Sequence, residues 1–200
     1  MTQNNNIREE LKRIIFGNNE KKIVLLEPEE KEVSIHESGH FIVNQELQKK
    51  RKRRRNIICI TIKPTEKFFG ANIFPNCKDN FKSKEDYEDE IAFLLAGKIA
   101  VEEMGIEPKF YEKDLLEAYK YACECVEKFY PKGIEDKREQ AVVLISKAKK
   151  VAKEIIKENK DKLELIAQAL LYRKLLLGEE AEKLYNGTMT IEQLRLLELD

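Results

Sequence analysis

The sequence predicts a mainly α-helical protein with a small β-sheet, an α+β fold. Charged residues make up 37% and hydrophobic residues 42% of the 200 positions, a balance typical of soluble, helix-rich proteins. Apolar residues recur at helical spacing through most of the chain. β-Branched residues concentrate in one short region, 56–63, which ends at Pro64.

The composition also narrows the class of protein. Lys plus Arg equals Asp plus Glu at 37 each, so no net field draws the chain toward nucleic acid or an anionic membrane. The N-terminus does not resemble a signal peptide, and no apolar run approaches the ~20 residues that span a bilayer. The four cysteines form no CxxC pair, which predicts reduced, packed thiols. We therefore expect a cytoplasmic protein without membrane contact.

Three regions are predicted along the chain. A short helix and an extended segment occupy 1–27, a core follows at 28–130, and a helical region at 131–200 forms one compact unit with that core. The helix that opens the core starts at Pro28, because proline suits the first turn and the glutamates after it complement the positive end of the helix. Its apolar residues and histidines follow a 3, 4 spacing, which predicts one inward-facing stripe.

The remaining elements follow from local signals. A strand at 56–63 turns back through 68–74, and this hairpin is the only clear β signal. Ser83 with Asp86 resembles a capping box, and the helix that it starts should end at Gly105. Further helices are predicted at about 114–130, 135–158 and 160–177, with Gly178 ending the last, followed by short helices near 180 and 191.

The two histidines of the chain lie four residues apart in the string His36-Glu37-Ser38-Gly39-His40, an HExxH motif. On a helix, residues i and i+4 share one face, so both imidazoles can bind one metal ion while Glu37 points about 100° away, toward a bound water. A catalytic zinc needs a third protein ligand, and the chain must supply a carboxylate or a thiolate. The alternative is a pair of hydrogen-bonded core histidines beside an exposed glutamate.

Residues 49–55 form an unbroken run of seven basic residues. We interpret this run as a solvated link after a helix C-terminus, where cations complement the helix dipole. A contact with nucleic acid through phosphate is the weaker interpretation, because no aromatic residues for base stacking are interleaved.

Five segments together resemble the peptidase domain of the FtsH family of ATP-dependent zinc metalloproteases, from about Glu32 to Asn186. The motif and the apolar residues after it, 36–43, are similar to that family's HEAGH segment. Four further segments of the chain resemble the family. They are Ile-Thr-Ile-Lys-Pro at 60–64, the Gly-to-Pro segment at 70–75, the apolar helix ending in Glu-Glu at 91–103, and Lys-Asp-Leu-Leu-Glu-Ala at 113–118.

This resemblance implies a zincin-like motif helix and small sheet followed by a C-terminal helical bundle. It also implies one Zn²⁺ per chain, bound by His36, His40 and Asp114, with Glu37 as the general base. The family's small, Gly-containing approach to this Asp is replaced by Phe-Tyr-Glu-Lys at 110–113. Without the resemblance, Asp114 followed by Glu117 also fits a helix N-cap.

The implied function is a zinc metalloendopeptidase that hydrolyses unfolded polypeptides or peptides. A free sheet edge would hold extended substrate by strand addition. No Walker motif is present, so the peptidase either acts alone or works with a separate AAA+ unfoldase. Family peptidase domains form rings with their ATPases; without that module, a small homo-oligomer and a monomer are equally expected. The alternative is a catalytically inactive relative that serves as a binding or regulatory module. The substrate edge would comprise Gly70, Ala71, Asn72, Ile73 and Phe74.

Overall fold

The structure, a computed structural model, describes residues 26–51, 56–75, 81, 83–130 and 137–197. The helix predicted near the N-terminus lies outside these residues. The described helices are α1 (Glu27–Arg51), α2 (Lys84–Glu103), α3 (Glu112–Phe129), α4 (Lys137–Glu158), α5 (Lys160–Arg173), α6 (Gly178–Tyr185) and α7 (Ile191–Leu196), and the strands are β1 (Cys59–Thr61), β2 (Ala71–Ile73) and β3 (Leu175–Leu177).

The predicted fold class is confirmed, because helices dominate and the strands form one small antiparallel sheet. The strand order is β2-β1-β3, so β1 is central and β2 lies at an edge. Cys59 of β1 pairs with Ile73 on one side and with Leu177 on the other. The predicted hairpin is present, with strands shorter than the β-branched region that indicated them.

The prediction of a helix through 160–177 is wrong at its C-terminal end. Lys174 adopts a left-handed backbone conformation with φ of 60°, and its carbonyl oxygen accepts hydrogen bonds from the Ile62 amide and the Thr61 hydroxyl. The three leucines that follow form β3. Gly178 then begins α6 instead of ending a helix. A Cβ at this position would lie 1.8 Å from the Ile57 carbonyl oxygen, so glycine is needed for this close backbone approach.

The helix that carries the HExxH motif is buried on all sides, not along a single stripe as predicted. Every residue from 32 to 45 is buried, because α2, α4, α5 and the sheet pack around this part of α1. At Gly39 a Cβ would lie 2.6 Å from the Cβ of Ala100 and 2.7 Å from the carbonyl oxygen of Ala96. The glycine therefore lets the backbones of α1 and α2 approach closely.

Two helix starts bear on the site. The capping box predicted for Ser83 and Asp86 is confirmed at the start of α2, and that helix ends just before Gly105, whose φ is +73°. Helix α3 begins at Glu112, with Tyr111 at the N-cap position. Asp114 is thus the third residue of the helix, and the N-cap interpretation of Asp114 is wrong.

The basic run belongs in part to α1, where a separate link was predicted. Lys49, Lys50 and Arg51 form the last turn of the helix, and 52–55 lie outside the described residues. The Arg51 guanidinium makes an ion pair with Asp89, at 2.9 Å. The cationic end of α1 therefore complements the helix dipole, as predicted, and also ties α1 to α2.

Cys59, Cys123 and Cys125 are free thiols, as predicted, and Cys77 lies outside the described residues. None of the described helices combines the length and the apolar character that crossing a membrane requires. The division at 27 and 130 stays a prediction.

Candidate active site

The two motif histidines project from successive turns of α1 and bring their ring nitrogens together. His36 Nε2 lies 2.9 Å from His40 Nε2, and both residues are buried. His40 Nδ1 lies 2.7 Å from the carbonyl oxygen of Phe93. A carbonyl oxygen only accepts, so Nδ1 carries a proton. When the ring is neutral, Nε2 therefore has the lone pair, which faces His36.

Asp114 reaches the same point from the first turn of α3. Its Oδ2 lies 2.9 Å from His36 Nε2 and 3.3 Å from His40 Nε2. In the described part of the chain, His36, His40 and Asp114 form a group that could hold a metal ion, because their ligand atoms lie within 4.8 Å of one another. Ligand atoms about 2.0–2.1 Å from a tetrahedral zinc ion lie roughly 3.3 Å from one another. The spacing and chemistry of the three atoms fit a small divalent cation.

The cluster of His36, His40 and Asp114 is accessible to solvent on one side. The Asp114 side chain is 27% exposed, whereas those of His36 and His40 are almost fully buried. At Gly97 a Cβ would lie 2.5 Å from the His36 ring, so α2 leaves room for this imidazole. The carboxylate therefore lies on the solvent side of the cluster, next to the cavity described below.

Electrostatics couple Asp114 to the histidines. Burial alone would raise the pKa of Asp114, but hydrogen bonds from His36 and His40 and their positive charges hold it well below its usual range. Burial alone would lower the pKa of His40, but the hydrogen bond and charge of Asp114, together with Glu37, raise it to about 9. Without a metal ion, the site therefore keeps an ionised carboxylate beside a protonated imidazole at neutral pH.

This coupling predicts how metal affinity depends on pH. A metal ion binds neutral imidazole, so a proton must leave His40, and apparent affinity should fall by up to about tenfold for each pH unit below about 9. Occupancy should therefore be low near pH 5. Competition titrations with a zinc-binding dye at pH 6, 7 and 8 measure how the apparent zinc affinity changes with pH.

Because Asp114→Asn removes the charge that raises the pKa of His40, the zinc affinity of that variant should change less between pH 7 and 8. Equal affinity of the wild type at pH 6 and 8 would contradict the prediction.

Glu37 lies beside the histidines and is buried, which excludes its interpretation as an exposed helix carboxylate. The side-chain amide of Asn72 donates to Glu37 Oε2 at 2.8 Å and to the Glu37 carbonyl oxygen at 3.0 Å. Burial raises the pKa of Glu37, and the charges of His36 and His40 together with the Asn72 hydrogen bond oppose that shift. A carboxyl group shifted upward in this way is better matched to proton transfer near neutral pH.

A cavity of about 680 Å³ opens onto the cluster. Four of the five predicted substrate residues line it, namely Gly70, Ala71, Asn72 and Phe74. Ile73 does not line the cavity, and its side chain packs instead with Cys59, Leu175 and Leu177. The cavity is also lined by His36, Glu37, His40 and Asp114.

Glu32 is a site residue that the sequence interpretation missed. It is 2% exposed, and its Oε1 accepts hydrogen bonds from the amides of Lys109 and Phe110 at 2.5 and 3.2 Å. The carboxylate thus anchors the segment that leads into α3 and Asp114, the segment where the chain departs from the family pattern. The signal was its position one helical turn before His36, on the same face of α1.

Phe110 also forms part of the cavity wall. Its ring packs against that of Phe69, with centroids 4.6 Å apart, and both residues line the cavity. The approach to Asp114 is therefore bulky in this chain, yet the anchored backbone still brings the Asp114 carboxylate to the histidines.

No protein-family model matches the chain. Curated relatives match it over most of its length. The ATP-dependent zinc metalloprotease FtsH 1 of Thermoanaerobacter sp. is 27% identical, over 90% of this chain and 34% of the relative. The FtsH of Caldicellulosiruptor bescii is 28% identical over 89% of this chain and 33% of the relative, and the FtsH 3 of Petrotoga mobilis is 28% identical over 88% and 32%. The chain spans about a third of the length of these relatives, so the predicted resemblance to a part of FtsH is confirmed.

Proposed function

We propose that this protein is a zinc metallopeptidase that hydrolyses peptide bonds. The observation that carries the proposal is the meeting of His36, His40 and Asp114 on one wall of the cavity, with Glu37 beside them. The relatives that match the chain are named as zinc metalloproteases, which supports the same reaction class.

His36, His40 and Asp114 would hold the zinc ion. A bound zinc ion supplies Lewis acidity, which acidifies water and polarises the carbonyl of the scissile bond. Glu37 takes a proton from the attacking water and passes it to the leaving amine nitrogen, a role that needs a carboxylate within hydrogen-bond reach. The Phe93 carbonyl fixes the tautomer of His40, so that its Nε2 faces the metal position.

We further propose that the substrate is an extended polypeptide or peptide bound along β2. This strand is an edge of the sheet, and among the described strands only β1 pairs with it. Strand addition uses backbone hydrogen bonds and therefore tolerates many sequences. Since the relatives are named as ATP-dependent, an AAA+ unfoldase is the proposed partner for folded substrates. A homo-oligomer and a cytoplasmic location belong to the same proposal.

Removal and return of zinc test the proposal. The chain is stripped with a chelator, and cleavage of a quenched fluorescent peptide and of unfolded casein is followed with and without added Zn²⁺. We expect hydrolysis only with zinc, and one zinc ion per chain by elemental analysis. A chain that binds one zinc ion and cleaves neither substrate would contradict the proposal and favour the inactive binding module.

A further inference from the structure

The edge strand holds the carboxylate of Glu37 as well as facing the cavity. Asn72 on β2 donates two side-chain hydrogen bonds to Glu37, one to Oε2 and one to the backbone carbonyl oxygen. Both partners are acceptors, so the amide must point its nitrogen toward Glu37, and a flipped amide would place oxygen against oxygen. Asn72 thus fixes the side chain and the backbone of Glu37 together.

Gly70 contacts the same side chain from two residues earlier. A Cβ at Gly70 would lie 2.7 Å from both Cγ and Oε1 of Glu37, and 2.6 Å from Cγ1 of Val33. At these distances a side chain at position 70 would have to push the Glu37 or Val33 side chain aside, so the glycine leaves Glu37 its present place. Gly70, which directly precedes β2, and Asn72 within the strand therefore both lie against Glu37.

We propose that Asn72, with Gly70 beside it, is a positioning residue that holds the Glu37 carboxylate in the place needed for proton transfer. The inference rests on the proposed function and deepens it, since the strand assigned to the substrate backbone also places the general base. Asn72 was predicted as a substrate-binding residue, and the hydrogen bonds give its side chain this different role.

Kinetics of three variants test the positioning role. Asn72→Ala should lower kcat for peptide hydrolysis by about 10- to 100-fold, with KM changed less than about threefold, because the base is displaced while the substrate edge remains. Asn72→Asp has the same shape but no amide donor, and its carboxylate repels Glu37, so kcat should fall at least as far. Gly70→Ala should also lower kcat, because its methyl group displaces Glu37. Zinc content should equal that of the wild type in all three.

Cys59→Ala is the matched control for disturbance of the sheet. Cys59 pairs with Ile73 and packs on the face of the sheet away from Glu37. This variant should lower the midpoint unfolding temperature, because a buried side chain is truncated, while kcat stays at the wild-type value. If Asn72→Ala behaved like Cys59→Ala, with lower thermal stability and wild-type kcat, the positioning role would be refuted.

A crystal structure of metal-free Asn72→Ala tests the same inference without any activity. We expect the Glu37 carboxylate to move by more than about 1 Å or to occupy several rotamers. A single carboxylate position identical to that of the wild type would overturn the inference. A wild-type chain that binds zinc but cleaves no peptide would instead contradict the proposed function, and the crystal structure would still decide whether Asn72 holds Glu37.

Discussion

Glu37→Gln is expected to lower kcat for peptide hydrolysis by about a thousandfold while zinc content stays at one ion per chain. An amide cannot take up the proton of the attacking water, and general acid–base groups contribute about 10²- to 10⁴-fold to rate. The substitution preserves the size of the side chain and an oxygen that can accept from Asn72, so the site should stay folded. Peptide-cleavage assays measure kcat, and elemental analysis of the same preparation measures the zinc content per chain.

Glu30→Gln is the matched control, since it makes the same chemical change on the same helix. Glu30 forms an ion pair with Lys174, with 2.6 Å between Oε2 and Nζ, and does not line the cavity. Its kcat should equal that of the wild type. Wild-type turnover in Glu37→Gln would exclude Glu37 as the general base.

Asp114→Asn should weaken zinc binding by more than about a hundredfold and thereby abolish hydrolysis at micromolar zinc. The variant replaces a charged ligand oxygen with a neutral amide, and even residues that only support metal ligands cost 10- to 100-fold in affinity when changed. The carboxylate lies 2.9 and 3.3 Å from the two ring nitrogens and is the acidic member of the group that could hold a metal ion in the described part of the chain. Competition with a zinc-binding dye at pH 7.5 measures the affinity.

Glu117→Gln, one turn further along α3, serves as the control for this second variant. Glu117 pairs with Lys120 at the surface, at 2.6 Å, and its loss should leave zinc affinity unchanged. Zinc affinity in Asp114→Asn within about threefold of the wild type would show that Asp114 is not a ligand. The two main variants therefore separate proton transfer from metal binding, because only Asp114→Asn should lose zinc.

Local signals predicted much of the fold. The capping box of Ser83 and Asp86, the break near Gly105 and the hairpin that contains β1 and β2 were each readable from a few adjacent residues. β3 was not predictable in this way, because three consecutive leucines suit a buried strand as well as a helix. Nor did a glycine or an asparagine mark the end of α5, where Lys174 adopts a left-handed conformation stabilised by its contacts with Thr61 and Ile62.

The burial of α1 shows a similar limit. The spacing of its apolar residues and histidines predicted one inward-facing stripe, but helices and strands distant in sequence cover every side from 32 to 45. Two glutamates of this helix, Glu32 and Glu37, are therefore buried. Each is satisfied by donors from another element, Glu32 by backbone amides and Glu37 by Asn72.

For the site, the sequence by itself determined the pairing of His36 and His40 and the place of Glu37 between them, because helical geometry puts residues four apart on one face. The family resemblance implied Asp114, 78 residues after His36, as the third ligand, but only the tertiary structure brings its carboxylate to the histidines and shows that Asn72 and Glu32 hold parts of the site. The physical reason is range: helix periodicity acts over a few residues, whereas contacts between α1, α3 and β2 depend on how the whole core packs.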